Sequence, residues 1–520
     1  MWKKTIIYLN KKGENMKKKL LSFIFAVCLV VPAMFMLSAC FQKEKKTELS
    51  YTLINNDTEY SVSVGSCDND KHIEIPSTYQ GKPVTTIEDY AFVDCGSLRS
   101  VTIPETITTI GKSAFVDCRA LRSVTIPSSV TTIGEFAFSS CIALSDVVIE
   151  EGVSYIVDYM FYGCGKLTNI TIPSSVTTIG ERAFNGCDTL TSITIPSGVI
   201  TIEKYVFYDC DALTSVTIPS SVTTIGESAF YDCDALTSIT IPGSVTTIED
   251  DTFALCDALT SVTIEEGVTT IGHSAFYYCD ALTSVIIEEG VTTIGDSAFG
   301  KCPLKSVTIP SSVTTIGAGA FYSCDVTSVT IEEGVTTIGE RAFAGCLDLK
   351  SVTIPSSVTT IGAEAFYDCR ALTSITIPGS VTTIEDYTFS KCSALTSVTI
   401  EEGVTIIGNS AFSECDALKS IIIPSGVTTI GAEAFYSCRA LTSVTIPSSV
   451  TTMGERVFFS CANMKTAIID SAEIANNSEK IPVYAKTIYI KTGLRNSSIT
   501  NFTKQATSDK AGYDMYVKNF

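Results

Sequence analysis

The sequence predicts a solenoid of about 17 stacked coils with a 23-residue period, mainly β with short helical turns and capped at both ends. Three observations predict it. Cysteines recur every 23 residues from Cys95 to Cys302 and, after two steps of 22 to Cys324 and Cys346, resume to Cys461, so 17 of the 20 cysteines form one array. In a well-formed unit, Val216 and Ile218 alternate with Ser215 and Thr217, the period-two signature of a strand with one buried face. Ala229, Phe230 and Cys233 then have the spacing of a single helical turn that lays Phe and Cys inward. No unit this short buries its own apolar face, so the coils must stack and share one core.

The chain opens on a targeting segment, residues 1–39, in which Lys17, Lys18 and Lys19 precede an apolar run from Leu20 to Leu37 and then small residues. Translation starting at Met16 would place that basic stretch at the N-terminus. The segment closes on Leu37, Ser38, Ala39 and Cys40, which resembles the bacterial lipobox. That resemblance implies acylation of Cys40, an address outside the cytoplasm and a lipid anchor as the only membrane contact. A membrane-spanning helix is the alternative for the apolar run. Residues 40–69 are read as a tether, carrying Lys43, Glu44, Lys45 and Lys46, and an N-terminal cap in which Tyr60 to Val64 forms part of a hairpin.

Residues 70–470 are the repeat array. Pro219 ends the first strand of the unit, Val222 to Ile225 reads as a second extended segment, and Gly226 permits a turn. The pattern L-x-x-V-x-I-P-x-x-V-x-x-I-G-x-x-A-F-x-x-C is similar to the BspA-like leucine-rich repeat of bacterial surface proteins. The resemblance implies a cell-surface protein, often an adhesin whose partners are host matrix proteins, glycans or other cell-surface proteins. Periodicity by itself implies none of that. Residues 471–520 leave the pattern, yet Ile481 to Ile490 and Tyr513 to Val517 still alternate like strands, as expected of a C-terminal cap closing an otherwise open edge. No sortase-type anchor or C-terminal membrane segment is legible, which leaves Cys40 as the expected tether.

The formal charge is −20, and without residues 1–39 it leaves 29 basic against 55 acidic side chains. A field of that sign repels nucleic acid and anionic headgroups, so neither is an expected partner. Histidine catalysis is poorly served by His72 and His273, the only two histidines. No phosphate loop, nucleophile elbow or spaced zinc set is present, no cofactor is expected, and near-identical coils offer no unique cleft for an acid/base pair. The expectation is therefore not an enzyme.

The cysteine array has three readings: buried thiols beside Phe and Leu, disulfides between coils about 5 Å apart, or a metal ladder. Its inward placement favours thiols, and single Cys rows without His make poor zinc sites. Two acidic features face solvent. In five units Pro-Ser-Ser becomes Glu-Glu-Gly, and two neighbouring ones bring Glu265, Glu266, Glu288 and Glu289 together as cation candidates. Asp188, Asp211, Asp234, Asp257 and Asp280 form a row. Like charges at that spacing repel by only about 0.8 kcal/mol in water, so such a row needs no ion.

The functional expectation is a surface binding or adhesion scaffold, with a structural or shielding surface protein as the alternative. Its partner-binding residues are expected on the strand face, at Thr171, Thr194, Thr217, Thr240 and Thr263 and at Ser192, Ser215, Ser238 and Ser261. They alternate with buried Val and Ile and so point outward, on the sheet that forms the concave wall in leucine-rich repeats. The variable positions Tyr231, Asp232 and Asp234 mark the opposite side as the other candidate.

Overall fold

The computed structural model describes residues 47–519, apart from 66, 68, 69, 478, 479, 483, 495–498, 500 and 501. The leader, Cys40 and the stalk lie outside the described residues. From His72–Glu74 onward the chain winds through about 18 coils, each with three sides. One side is a strand wall of three- or four-residue strands such as Ser238–Ile241, paired parallel with the next coil in unbroken register, Ser238 with Ser261 and Ile241 with Ile264. The second is a narrow wall of two-residue strands such as Thr247–Ile248, paired with Thr270–Ile271. Parallel pairing needs a long crossover. Here the remainder of each coil is the crossover.

The third side corrects the sequence reading. The Ala-Phe-x-x-Cys segment is a run of tight turns and not a helical turn: Ala229 N–H donates to Gly226 and Tyr231 N–H to Ser228, while Ser228, Phe230 and Asp232 donate to Asp250, Thr252 and Ala254 of the next coil at 2.9–3.0 Å. Beyond its first turn a helix spends its N–H groups within itself. Here alternate N–H groups tie coil to coil, an arrangement made by left-handed residues at two positions per coil, such as Ser228 (φ 53°) and Asp232 (φ 60°). Among the described residues the one α-helix is Ala472–Asn476, capped by the Ser471 hydroxyl. Gly226 also has a different reason from the one expected. Its φ is ordinary, but a Cβ there would stand 2.6 Å from the Lys204 backbone nitrogen, so it is space between coils that requires glycine.

Inside, Phe92 to Phe458 form one continuous stack, each ring nearly parallel to the next with centroids 4.9–5.9 Å apart. Beside it runs the cysteine ladder. From Cys118 to Cys461 every thiol donates to the carbonyl of the Phe in the preceding coil, at 2.9–3.4 Å. This accounts for the residue type: the site is apolar, tight and faces a buried carbonyl, which a small residue with a weak donor satisfies. The first member differs. Cys95 is joined to Cys67 in a disulfide, with Cα atoms 5.1 Å apart, which removes it from the thiol ladder and bonds the N-terminal segment to the first coil.

At the N-terminal end Leu49–Ile54 and Glu59–Val64 form an antiparallel hairpin whose second strand pairs parallel with Lys82–Ile87. Tyr51 of the hairpin stacks on Tyr79, just before Lys82–Ile87, at 3.8 Å. At the other end Thr487–Lys491 extends the strand wall by one more parallel rung, then pairs antiparallel with Tyr513–Lys518, which carries Phe502–Lys504 on its far edge. The wall thus runs past residue 470, and Ile481, expected in a strand, is buried outside one.

Candidate binding surfaces

All nine predicted Ser and Thr residues lie on the strand wall with their side chains exposed. Ser192 aligns with Ser215 and Thr171 with Thr194 and Thr217; Ser238 aligns with Ser261 and Thr240 with Thr263. Among the described residues none of the nine hydroxyls has a protein hydrogen-bond partner. Hydroxyls at neighbouring repeat positions behave differently. Thr214, Thr237 and Thr260 donate to the backbone carbonyl of the coil before, and so do Ser221 and Ser244 from the Pro-Ser-Ser and Pro-Gly-Ser turns. Over these coils the fold therefore consumes the corner hydroxyls and leaves the wall hydroxyls free, whereas in the first coils the wall hydroxyl of Ser100 pairs with His72. The row is interrupted by exposed Val148, Ile286 and Ile422 at Thr positions.

The Glu-Glu-Gly turns have a structural account. Glu289 accepts the backbone N–H groups of Ser311 and Ser312 in the next coil, Glu333 those of Ser356 and Ser357, and Glu151 those of Ser174 and Ser175. Glu265 reaches the opposite way, to Gly243 N–H at 3.2 Å. Hydrogen bonds from the serine N–H groups lower the Glu151 and Glu333 carboxyls. Burial opposes the same effect at Glu289, and the bonds from Ser311 and Ser312 outweigh it. Glu265, Glu266, Glu288 and Glu289 are all exposed, and no group of three or more possible metal ligands exists among the described residues. The Asp row is exposed as well. Burial and then the charge of Asp209 raise Asp188 and Asp211, and burial with Asp234, Asp209 and Asp211 pushes the Asp232 carboxyl up to about 6.

The turn wall carries what sequence reasoning missed. The residue after each core Phe alternates between tyrosine and a small side chain over seven coils: Tyr231, Ala254, Tyr277, Gly300, Tyr322, Ala344, Tyr367. The Tyr277 ring lies over Gly300, 3.1 Å from where a Cβ would be. Toward the end of this row a groove of about 950 Å³ opens, its floor at Ala344 and Gly345, with Tyr322, Tyr367 and Tyr387 beside it. Tyr322, Tyr387 and Leu347 are 39%, 44% and 47% exposed. Arg341 holds Glu364 through two bonds of 2.7 and 3.0 Å, and Arg370 holds Asp368 through two of 2.8 and 2.9 Å. The groove adjoins the two 22-residue steps from Cys302 to Cys346, where one residue is missing between each Cys and the next core residue, Leu304 or Val326. That break in period, together with the tyrosine alternation, was the signal in the sequence.

The chain matches the family model described as BspA type Leucine rich repeat region over residues 85–214, 200–327, 269–396, 314–438 and 382–510. Among solved structures it is similar to a leucine-rich repeat protein from Bacteroides ovatus, with 26% identity and a TM-score of 0.56 over 86% of this chain and 99% of that one. It also resembles a leucine-rich cell surface protein from Faecalibacterium prausnitzii, 28% identical over 69% of this chain and 96% of the other, TM-score 0.40. The pneumococcal vaccine antigen PcpA is 18% identical, with 87% and 93% coverage and a TM-score of 0.33. No curated protein sequence matches.

Proposed function

Because the chain belongs to the BspA-type leucine-rich repeat family, we propose that it is a lipid-anchored scaffold on the outer face of a bacterial envelope, binding host matrix proteins, glycans or other cell-surface proteins along its strand wall. One observation carries the reading: the corner hydroxyls of Thr214, Thr237, Thr260, Ser221 and Ser244 are taken up by coil-to-coil bonds, whereas the nine in register on the wall are exposed and unpaired. Free hydroxyls donate and accept without the desolvation cost of an ion, and a partner spanning many identical rungs sums weak contacts into avidity. Acylated Cys40 is the tether in this reading, and the terminal hairpin and the C-terminal antiparallel strands are its caps.

The test is capture from host matrix, glycan arrays and whole bacteria by the full chain and by a variant with Thr217, Thr240 and Thr263 all changed to Lys. The variant is expected to fold normally and to lose capture. Undiminished capture by the variant, or no capture by the unmodified chain from any of the three sources, overturns the proposal.

A further inference from the structure

The turn-wall groove is lined by tyrosines, two arginine–carboxylate pairs and Glu340, and the strand-wall reading leaves it unused. Its tyrosines recur every second coil. Coil steps measured on the Phe stack beneath are 5.3 Å from Phe321 to Phe343 and 5.4 Å from Phe343 to Phe366, so Tyr322 and Tyr367 stand two such steps apart. Ala344, in the coil between them, leaves the space between the two rings free of a long side chain, and in the coil before Tyr322 an edge of the Tyr277 ring lies over Gly300. The result is a row of aromatic platforms at one spacing.

That spacing selects among linear ligands. An extended polypeptide repeats its facing side chains about every 6.7 Å, and a polyproline helix about every 9.3 Å, so each falls out of step with two coils within a few platforms. A β-1,4-linked pyranose chain does not. One sugar ring with its bridging oxygen is about as long as one coil step, and each residue is turned over relative to the last, so alternate rings present the same face to alternate tyrosines. The charges do not oppose it. Arg341 is paired with Glu364 and Arg370 with Asp368, both through two bonds, which leaves flat arrays of N–H donors and oxygen acceptors matched to hydroxyl groups, and Glu340 on the same lining adds one negative charge that disfavours a polyanion.

We propose that the turn wall between Tyr277 and Tyr387 is a binding site for a neutral β-1,4-linked hexopyranose chain, with Tyr322 and Tyr367 as stacking platforms and the Arg341 and Arg370 pairs as hydroxyl-binding groups. The site is separate from the strand wall and does not depend on that wall binding anything.

Calorimetric titration of the full-length protein with cellohexaose, β-mannohexaose and chitohexaose tests it, with maltohexaose as the linkage control and oligogalacturonate as the anionic control. At least one β-1,4 hexasaccharide is expected to bind at millimolar concentration or below, more tightly than its disaccharide and more tightly than both controls. Tyr322→Ala and Tyr367→Ala should each weaken it by roughly tenfold. Tyr322 is an exposed side chain, so its removal should leave the melting temperature unchanged, and Arg370→Ala supplies a second variant outside the core. No binding by any of the three, equal binding of maltohexaose, or affinity indifferent to both tyrosines overturns the assignment. Loss of binding in the Thr217, Thr240, Thr263 triple variant would overturn it as well, by moving the sugar to the strand wall.

Discussion

Phe230→Ala strikes the element that makes the coils one body. Phe230 is wholly buried, its ring stacked on Phe207 at 5.1 Å and on Phe253 at 5.2 Å, and its carbonyl accepts the Cys256 thiol at 3.2 Å. Truncating a buried Phe costs about 3 to 5 kcal/mol in transfer and cavity terms. Two ring contacts of about 0.5 to 1.5 kcal/mol each are lost with it, which places the change near the upper end of that range. The cost falls on one coil and its two interfaces, because in a solenoid each repeat touches only its neighbours. A loss of that size at one internal interface weakens the coupling between the flanking blocks. Calorimetry should therefore show a broadened or split transition, against a single sharper one for the unmodified chain and for Tyr322→Ala, which removes an exposed ring instead. An unchanged, single transition in Phe230→Ala would refute the continuous core.

The remaining predictions concern sulfur, charge and the anchor. The ladder from Cys118 to Cys461 is buried throughout, and burial pushes the Cys164 thiol, for instance, up to about 12, so a thiol reagent at neutral pH should leave the native ladder unmodified and titrate it only after unfolding. Cys67 and Cys95 should react only after reduction as well. Asp232 binds its proton more tightly folded than unfolded, so its contribution to stability is fully present below the ordinary carboxylate range and is lost as pH rises through about 6. Asp232→Asn should accordingly raise the melting temperature at pH 7.5 and leave it nearly unchanged at pH 3.5; an equal rise at both would sink the assignment. Cys40→Ser should abolish incorporation of labelled fatty acid, and label retained elsewhere in the chain would remove the anchor reading.

The repeating fold was legible because every core position announces itself: Val216 and Ile218 by alternation, Phe230 and Cys233 by fixed offset, and the 23-residue beat by repetition. Backbone conformation at the turns was not legible. Ala229 to Cys233 has helical spacing, but the left-handed residues at Ser228 and Asp232 turn alternate N–H groups toward the next coil, and of the two only the aspartate favours a positive φ. The outward direction of Ser215 and Thr217 followed from period two. The capping role of Glu289 did not, because its partners are backbone N–H groups 22 and 23 residues away. The Cys67 disulfide escaped because Cys67 lies outside the periodic array, and the turn-wall groove because its tyrosines repeat every second coil, a period that a search for one-coil repeats passes over.

The central claim, that partners dock along the exposed hydroxyls of the strand wall, is tested most directly by hydroxyl-radical footprinting of the full chain with and without a captured matrix or cell-surface partner. The account predicts protection that repeats from coil to coil at the wall strands, such as Ser215–Thr217, Ser238–Ile241 and Ser261–Ile264, while the narrow wall stays reactive. Protection confined to the narrow wall or to the acidic turns at Glu265 and Glu288, with the wall strands as reactive as in the free protein, would contradict it.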